Sequence, residues 1–167
     1  MANGSSKFFL FLLRISMGWI FLYSGATKLL DPKWSAEGFL KSAKTFPQFY
    51  NWLAGSQNID WINLLNEWGQ LLIGLALIFG FLTRFASVGG VLMMILYYFP
   101  GLTFPYVGAH SYLVDEHIIY ALIFGFFAST LAGQYWGIDG FLWNLFLPKP
   151  KKDLAPSQSP IRGITRK

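Results

Sequence analysis

Two basic residues in the first apolar segment, Arg14 and Lys28, are the first candidates for a chemical role. They lie fourteen residues apart, and Lys28 belongs to the sequence SGATKLL at the end of an otherwise apolar stretch. In an α-helix this spacing places both side chains on nearly the same face, with about 21 Å between their levels. Ionisable side chains in a membrane interior face other helices and have partners there. The spacing therefore predicts a polar seam inside a helical bundle.

Glu67 and His117 are the candidates for catalytic proton transfer. Glu67 lies six residues inside the second apolar segment, where a carboxylate needs a partner or a proton. His117 begins the fourth apolar segment, and an imidazole exchanges protons near neutral pH. We expect both to meet Lys28, a cation for binding an anionic substrate, at one level of the bundle. Gln70, one helical turn from Glu67, can join them there. The alternatives are that Lys28 extends to the membrane surface and that His117 only begins a helix.

A second set of charges, Arg14, Arg84 and Asp139, belongs to the opposite end of the helices. Arg14 and Asp139 are predicted to form an ion pair that holds helices together. Arg84 follows the second apolar segment in a tight connection, which is typical of a residue that fixes membrane topology. We therefore expect a structural network at this end.

The residues that bind metals are scarce. The chain has no cysteine and two histidines, His110 and His117. The absence of cysteine excludes disulfides, iron–sulfur clusters held by thiolates and nucleophilic thiols. No histidine or carboxylate spacing matches a metal or haem motif, so we expect neither kind of site.

The composition predicts an all-α integral membrane protein. Of 167 residues, 54% are hydrophobic and only 13% are charged, against about a quarter in soluble domains. Four apolar stretches are candidates for spanning helices, which need about 20 residues. The third has no charge from Phe85 until Asp115, but Pro100 is expected to end its helix near Phe99. The prediction is a four-helix transmembrane domain over residues 1–147, with short interfacial helices in the first loop and a basic, disordered tail over 148–167. The spans lie at about 8–30, 61–82, 85–99 and 118–134.

The basic residues predict the orientation. Lys7, Arg84 and six cations of the tail fall on one side of the predicted spans. Because cytoplasmic loops carry the excess of Lys and Arg, both termini are predicted to be cytoplasmic, in the inner (cytoplasmic) membrane. A basic tail beside the last span is explained by contact with the anionic lipid bilayer, so nucleic acid is not an expected partner.

Three segments and the aromatic first loop carry a family resemblance. The segments are RISMGWIFLYSGATKL, NEWGQLLIGLALIFGFLTR and DEHIIYALIFGFFASTLAGQYWGIDGFL. Together they resemble the DoxX/DoxD-like family of four-helix membrane proteins, over about residues 8–147. The third segment looks most like the DoxD branch, which is named for a subunit of thiosulfate:quinone oxidoreductase.

The resemblance implies a reaction and a set of residues. The reaction is oxidation of thiosulfate to tetrathionate, with electrons passing to a membrane quinone as the acceptor substrate. The positions that match the family's charged pattern are Arg14, Lys28, Glu67, Arg84, His117 and Asp139. Because no flavin, haem or metal motif is evident, a second redox subunit is an expected partner.

Two other functions fit the same sequence. The first is a non-catalytic membrane anchor or assembly partner for a redox protein, which the missing cofactor motifs and the aromatic loop favour. The second is a permease for a small solute, which the charges at two depths favour. A permease of four helices would need to form a homo-oligomer to line a pathway.

Overall fold

The computed structural model describes residues 3–108, 111–130 and 132–146, so His110 and the tail over 148–167 lie outside the described residues. The described chain is mostly helical, as predicted, with one short antiparallel hairpin formed by β1 (Leu102–Thr103) and β2 (Tyr106–Val107). The helices are α1 (Gly4–Leu30), α2 (Glu37–Lys41), α3 (Pro47–Leu53), α4 (Ile59–Phe79), α5 (Thr83–Gly101), α6 (Glu116–Thr130) and α7 (Ile138–Phe146), with a 3₁₀ turn at Ala132–Gln134.

The closest helix packing joins α1 to α4, which run antiparallel. Small residues make this approach possible. A Cβ atom added to Gly25 would lie 2.5 Å from the backbone nitrogen of Leu71, and one added to Gly74 would collide with the backbone of Leu22. The two backbones are therefore in direct contact, which fixes the position of α4 side chains relative to α1.

Helices α5 and α6 complete the core. The ring of Phe124 on α6 lies against Gly90 of α5, and its centroid is 4.8 Å from that of Phe21 on α1. Edge-to-face contacts of this kind stabilise a core beyond the area that they bury. The buried apolar core consists of Leu10, Met17, Phe21, Ile73, Leu77, Met94, Phe124, Phe127 and Ala132.

The exterior of the helices is apolar. Phe85 is 75% exposed, Leu122 is 69% exposed and Leu72 is 57% exposed, although all three are large hydrophobic residues. Contiguous apolar surface of this extent is typical of contact with lipid. Among the described residues, α1 and α4 are the two helices both long and apolar enough to cross a membrane, and the shorter α6 is also apolar.

Helices α2 and α3 cover one end of the longer helices, which we call the cap end. It contains the C-terminal ends of α1 and α5 and the N-terminal ends of α4 and α6. The Tyr50 hydroxyl donates a hydrogen bond of 2.9 Å to the carbonyl of Leu96, and the Ala36 backbone N–H donates one of 2.9 Å to Asn63 Oδ1. These bonds attach α2 and α3 to the longer helices. The opposite end, which contains α7, is called the base end.

Two local features differ from the sequence-based expectation. Helix α5 continues through Pro100 to Gly101, because a proline in the last turn removes only one backbone donor. The fourth span is predicted over about 118–134, but α6 ends at Thr130 and the glycine-rich stretch that follows forms a 3₁₀ turn and then α7. Its glycines fit a close turn against neighbouring helices, which sequence composition alone does not distinguish from a loop.

Candidate functional site

Lys28 lies in the last turn of α1 at the cap end and is directed toward α4 and α5. Its ammonium donates hydrogen bonds to Asn66 Oδ1 and Gln70 Oε1, both at 2.8 Å, and to the Tyr97 hydroxyl at 3.3 Å. The Trp34 ring centroid lies 4.9 Å from the same nitrogen, within the range of a cation–π contact. Three oxygen partners and an aromatic face hold this half-buried cation between the helices, and it does not extend to the surface.

Gln70 fixes the geometry around that ammonium. Its side chain is 4% exposed. Its Oε1 accepts a second hydrogen bond from the Ser24 hydroxyl at 2.9 Å, and its Nε2 donates to the Tyr97 hydroxyl at 3.1 Å. A buried amide with both ends bonded has a single orientation, so the Tyr97 oxygen is held at one point where α1, α4 and α5 meet.

His117 stands at the start of α6 on the other side of Tyr97. Its Nδ1 lies 2.6 Å from Asp115 Oδ2, and the two ring centroids of His117 and Tyr97 lie 6.0 Å apart. Asp115 caps the helix, because its Oδ1 accepts the backbone N–H groups of His117 at 3.0 Å and Ile118 at 3.2 Å. A carboxylate bound in this way orients the imidazole through Nδ1 and leaves Nε2 available for proton exchange.

Two cavities meet at Tyr97 and His117. The larger, which we call the cap cavity, has a volume of about 250 Å³ and combines polar groups with aromatic walls. It is lined by Lys28, Trp34, Ser35, Ala36, Phe39, Asn66, Tyr97 and His117. The smaller, of about 140 Å³, is lined by Ile20, Phe21, Ser24, Gln70, Met94, Tyr97, His117 and Tyr120. The arrangement can hold a flat, apolar molecule that carries hydrogen-bond acceptors.

Glu67 lies beside this group without joining its hydrogen bonds. The half-buried carboxylate attracts the Lys28 ammonium electrostatically. Among the described residues it forms no ion pair within 4.0 Å, and it lines neither cavity. The structure therefore brings Lys28, Gln70 and His117 around Tyr97, and a catalytic role for Glu67 stays a prediction.

Three residues of this site were not predicted from the sequence: Asn66, Tyr97 and Asp115, which orients the His117 ring. Asn66 precedes Gln70 by four residues, so helical spacing alone could have placed both on one face. Asp115 precedes His117 by two residues in the usual position of a helix cap, which was also visible in the sequence. Tyr97 carries no such signal, because its role depends on how α5 packs against α1.

At the base end, Arg14 is fully buried and binds backbone carbonyls. Its Nη1 donates to the carbonyl of Ala132 at 3.3 Å and its Nη2 to that of Trp136 at 3.1 Å, while its Nε has no hydrogen-bond partner in the described part of the chain. A Cβ atom added to Gly137 would lie 2.5 Å from Nη1. The guanidinium thus fastens the turn before α7 to α1.

Asp139 has different partners from those predicted. Its carboxylate accepts the backbone N–H groups of Leu82 at 2.8 Å and Thr83 at 3.0 Å, and the Thr83 hydroxyl at 2.9 Å. Arg14 and Asp139 attract each other electrostatically, but they do not form the direct ion pair that the sequence predicts. The reason is that the start of α5 supplies three donors to the carboxylate. Arg84 is exposed, and its side chain makes no hydrogen bond or ion pair with any other described residue.

No group of three or more histidine, aspartate or glutamate side chains that could hold a metal ion occurs within residues 3–108, 111–130 and 132–146. His110 lies outside these ranges.

Comparison with known proteins gives one match. A family model described as DoxX matches residues 9–104. No curated protein and no solved structure matches the chain. The matched range extends from α1 to the hairpin after α5, so it includes Lys28, Asn66, Gln70 and Tyr97 and ends before Asp115 and His117.

Proposed function

The chain belongs to the DoxX family of membrane proteins, and on that premise we propose that it is a quinone-binding subunit of a membrane oxidoreductase. In this proposal it passes electrons from thiosulfate, or a related sulfur donor, to a membrane quinone, as in the DoxD branch that its sequence resembles. The quinone headgroup occupies the cap cavity. Helices α1, α4, α5 and α6 cross the inner membrane, with both termini in the cytoplasm.

The observation that carries the proposal is the lining of the cap cavity. Lys28, Tyr97 and His117 provide an ammonium, a hydroxyl and an imidazole at one cavity of about 250 Å³. Quinone carbonyl oxygens accept hydrogen bonds from hydroxyl and imidazole groups such as those of Tyr97 and His117, and their reduction requires proton donors within hydrogen-bond reach. The three N–H groups of Lys28 already bind Asn66, Gln70 and Tyr97, so Lys28 contributes its positive charge. Trp34 and Phe39 supply the apolar, aromatic walls that a flat ring needs.

The reaction balances without a cysteine or a metal in this chain. Joining two thiosulfate ions through a new sulfur–sulfur bond gives tetrathionate and releases two electrons. A quinone takes up those two electrons together with two protons and becomes a quinol. His117, which is oriented by Asp115, is the proposed proton donor, and Lys28 stabilises the negative charge that develops on the carbonyl oxygen. A second redox subunit at the cap end is the proposed site of sulfur oxidation.

The anchor alternative makes a different prediction in the same experiment. The purified protein is reconstituted in lipid nanodiscs and supplied with thiosulfate and decylubiquinone, with and without the proteins that co-purify with it. The proposal predicts thiosulfate-dependent quinol formation that is lost in His117→Ala and kept in Arg84→Gln. If the protein were only an anchor, it would not bind decylubiquinone, and both variants would still co-purify with their partner. That result would contradict the proposal.

A further inference from the structure

A second open groove lies at the base end, between α1 and α6, far from the cap cavity. Its volume is about 410 Å³. Ser6, Phe9, Leu10, Leu13, Phe126, Thr130 and Tyr135 line it. Phe9 is 67% exposed and Phe126 is 49% exposed, so the groove opens on the apolar exterior. Because Ser6 and Leu13 are seven residues apart on α1, the groove extends about 10 Å along the helix axis.

The two ends of this groove differ in chemistry. Its part nearer the middle of α1 and α6 is made by the side chains of Leu10, Leu13 and Phe126, which are purely apolar. Its shallow end, nearest the base end of the helices, is made by Ser6, Thr130 and Tyr135, which all carry hydroxyls. The Lys7 ammonium lies over the Tyr135 ring, 5.4 Å from its centroid.

Lys7 is the charged group beside the shallow end: it does not line the groove itself, but its ammonium lies over the ring of Tyr135, which does. Its side chain is half-buried, and within the described parts of the chain its ammonium makes no hydrogen bond or ion pair. No aspartate or glutamate lines the groove. The groove thus combines three hydroxyl-bearing side chains with an apolar slot about 10 Å long, and one positive charge without a carboxylate partner among the described residues lies beside it.

We propose that this groove is a binding site for an anionic phospholipid. The headgroup phosphate binds the Lys7 ammonium and the hydroxyls of Ser6 and Tyr135, and one acyl chain lies along Leu13 and Phe126. A lipid matches both ends of the groove, because basic pockets beside membrane helices attract anionic headgroups. A second copy of the chain fits less well, since an interface between two α1 helices would bring two Lys7 ammonium groups together.

The test is native mass spectrometry of the protein in detergent with an equal mixture of phosphatidylglycerol and phosphatidylcholine. The wild type is expected to retain phosphatidylglycerol selectively. Lys7→Met is expected to reduce that selectivity about fivefold, the change typical of one basic residue near an anionic membrane surface. Arg84→Gln is the matched control, because it removes an exposed base-end charge outside the groove and is expected to leave the selectivity unchanged. Equal losses in both variants would overturn the proposal.

Two further variants and one competing ligand distinguish a bound lipid from other occupants of the groove. Thr130→Trp places a large ring in the slot, and it is expected to reduce retention of both lipids while the protein remains monodisperse. Glycerol phosphate tests the headgroup alone: displacement of the lipid at equal concentration would show a simple anion site and overturn the proposal. Ser6→Cys introduces the chain's one cysteine, and rapid disulfide-linked dimer formation in nanodiscs would show that a second copy covers the groove and would likewise overturn it.

Discussion

The Lys28 ammonium lies 3.3 Å from the Tyr97 hydroxyl, joining the last turn of α1 to the last turns of α5. Gln70 of α4 bonds to both groups, at 2.8 Å and 3.1 Å. Three helices therefore share one polar contact beneath the cap formed by α2 and α3. Its positions are set by the packing of the helix backbones, so a ligand in the cap cavity meets a positive charge and a tyrosine hydroxyl that are already in place.

Removal of the Lys28 ammonium is predicted to weaken quinone binding. Lys28→Met keeps most of the side-chain volume but loses the charge and leaves the oxygens of Asn66 and Gln70 without their shared donor. We expect decylubiquinone affinity, measured by quenching of tryptophan fluorescence, to fall about tenfold, because the positive charge beside the bound carbonyl oxygen is lost. Lys33→Met, which removes an exposed lysine outside the cavity, is the control. Unchanged affinity in Lys28→Met would contradict this part of the account.

The contact between α1 and α4 predicts opposite effects of two glycine substitutions. Gly74→Ala forces a Cβ atom into the backbone of Leu22, and its cost is expected to reach at least about 3 kcal/mol, the upper end of overpacking costs. Gly125→Ala is the matched control on α6, since no atom lies within 4 Å of its added Cβ. It is expected to stabilise the helix by about 0.5–1 kcal/mol. Unfolding in mixed detergent micelles measures both, and a mild Gly74→Ala effect would show that the two backbones are farther apart.

The role of Asp139 as a helix cap predicts its mutational cost. Asp139→Ala removes the acceptor of two backbone N–H groups at the start of α5, and we expect a loss of about 1–2 kcal/mol in the free energy of unfolding. Thr83→Val removes only the hydroxyl bond and should cost less. Asp60→Ala, at an exposed position of α4, is the control and should be nearly neutral. If Asp60→Ala costs as much as Asp139→Ala, the capping explanation is wrong.

Tyr50 predicts a pH dependence of stability. Burial raises the pKa of its hydroxyl above the usual value of 10.0. The neutral hydroxyl is therefore favoured in the folded state, so its stabilising contribution is complete below pH 10 and is lost as the pH rises through the folded-state pKa. Thermal unfolding at pH 8 and at a pH above 10 should show a larger decrease for the wild type than for Tyr50→Phe. Equal decreases in the wild type and in Tyr50→Phe would show that ionisation of Tyr50 does not weaken the attachment of α3 to α5.

The sequence predicts the type of fold well and the contacts of the site only in part. Apolar length and low charge were sufficient for the long helices, because these properties belong to each segment separately. The approach of Lys28 to Gln70 was also within reach, since both lie at fixed positions on apolar helices. The role of Tyr97 was not predictable, because many tyrosines lie at the ends of apolar segments and only the packing of α5 brings this one to the site.

The contacts of the charged residues at the base end were likewise not predictable from the sequence. Arg14 and Asp139 are opposite charges predicted at one end of the helices, so the sequence favours an ion pair between them. The structure satisfies both mainly with backbone groups, the carbonyls of Ala132 and Trp136 and the N–H groups that begin α5. Backbone donors and acceptors are chemically the same at every position. The residue pattern therefore does not show which of these groups a turn leaves without a backbone partner.

The central claim is that a quinone headgroup occupies the cap cavity. Its most direct test is photolabelling of the protein in nanodiscs with an azido-quinone, followed by peptide mass spectrometry. The account predicts label on the peptides that contain Trp34, Phe39 and Tyr97, reduced by excess decylubiquinone and by Lys28→Met. Label spread over the lipid-facing surfaces of α4 and α6 and unaffected by decylubiquinone would contradict it.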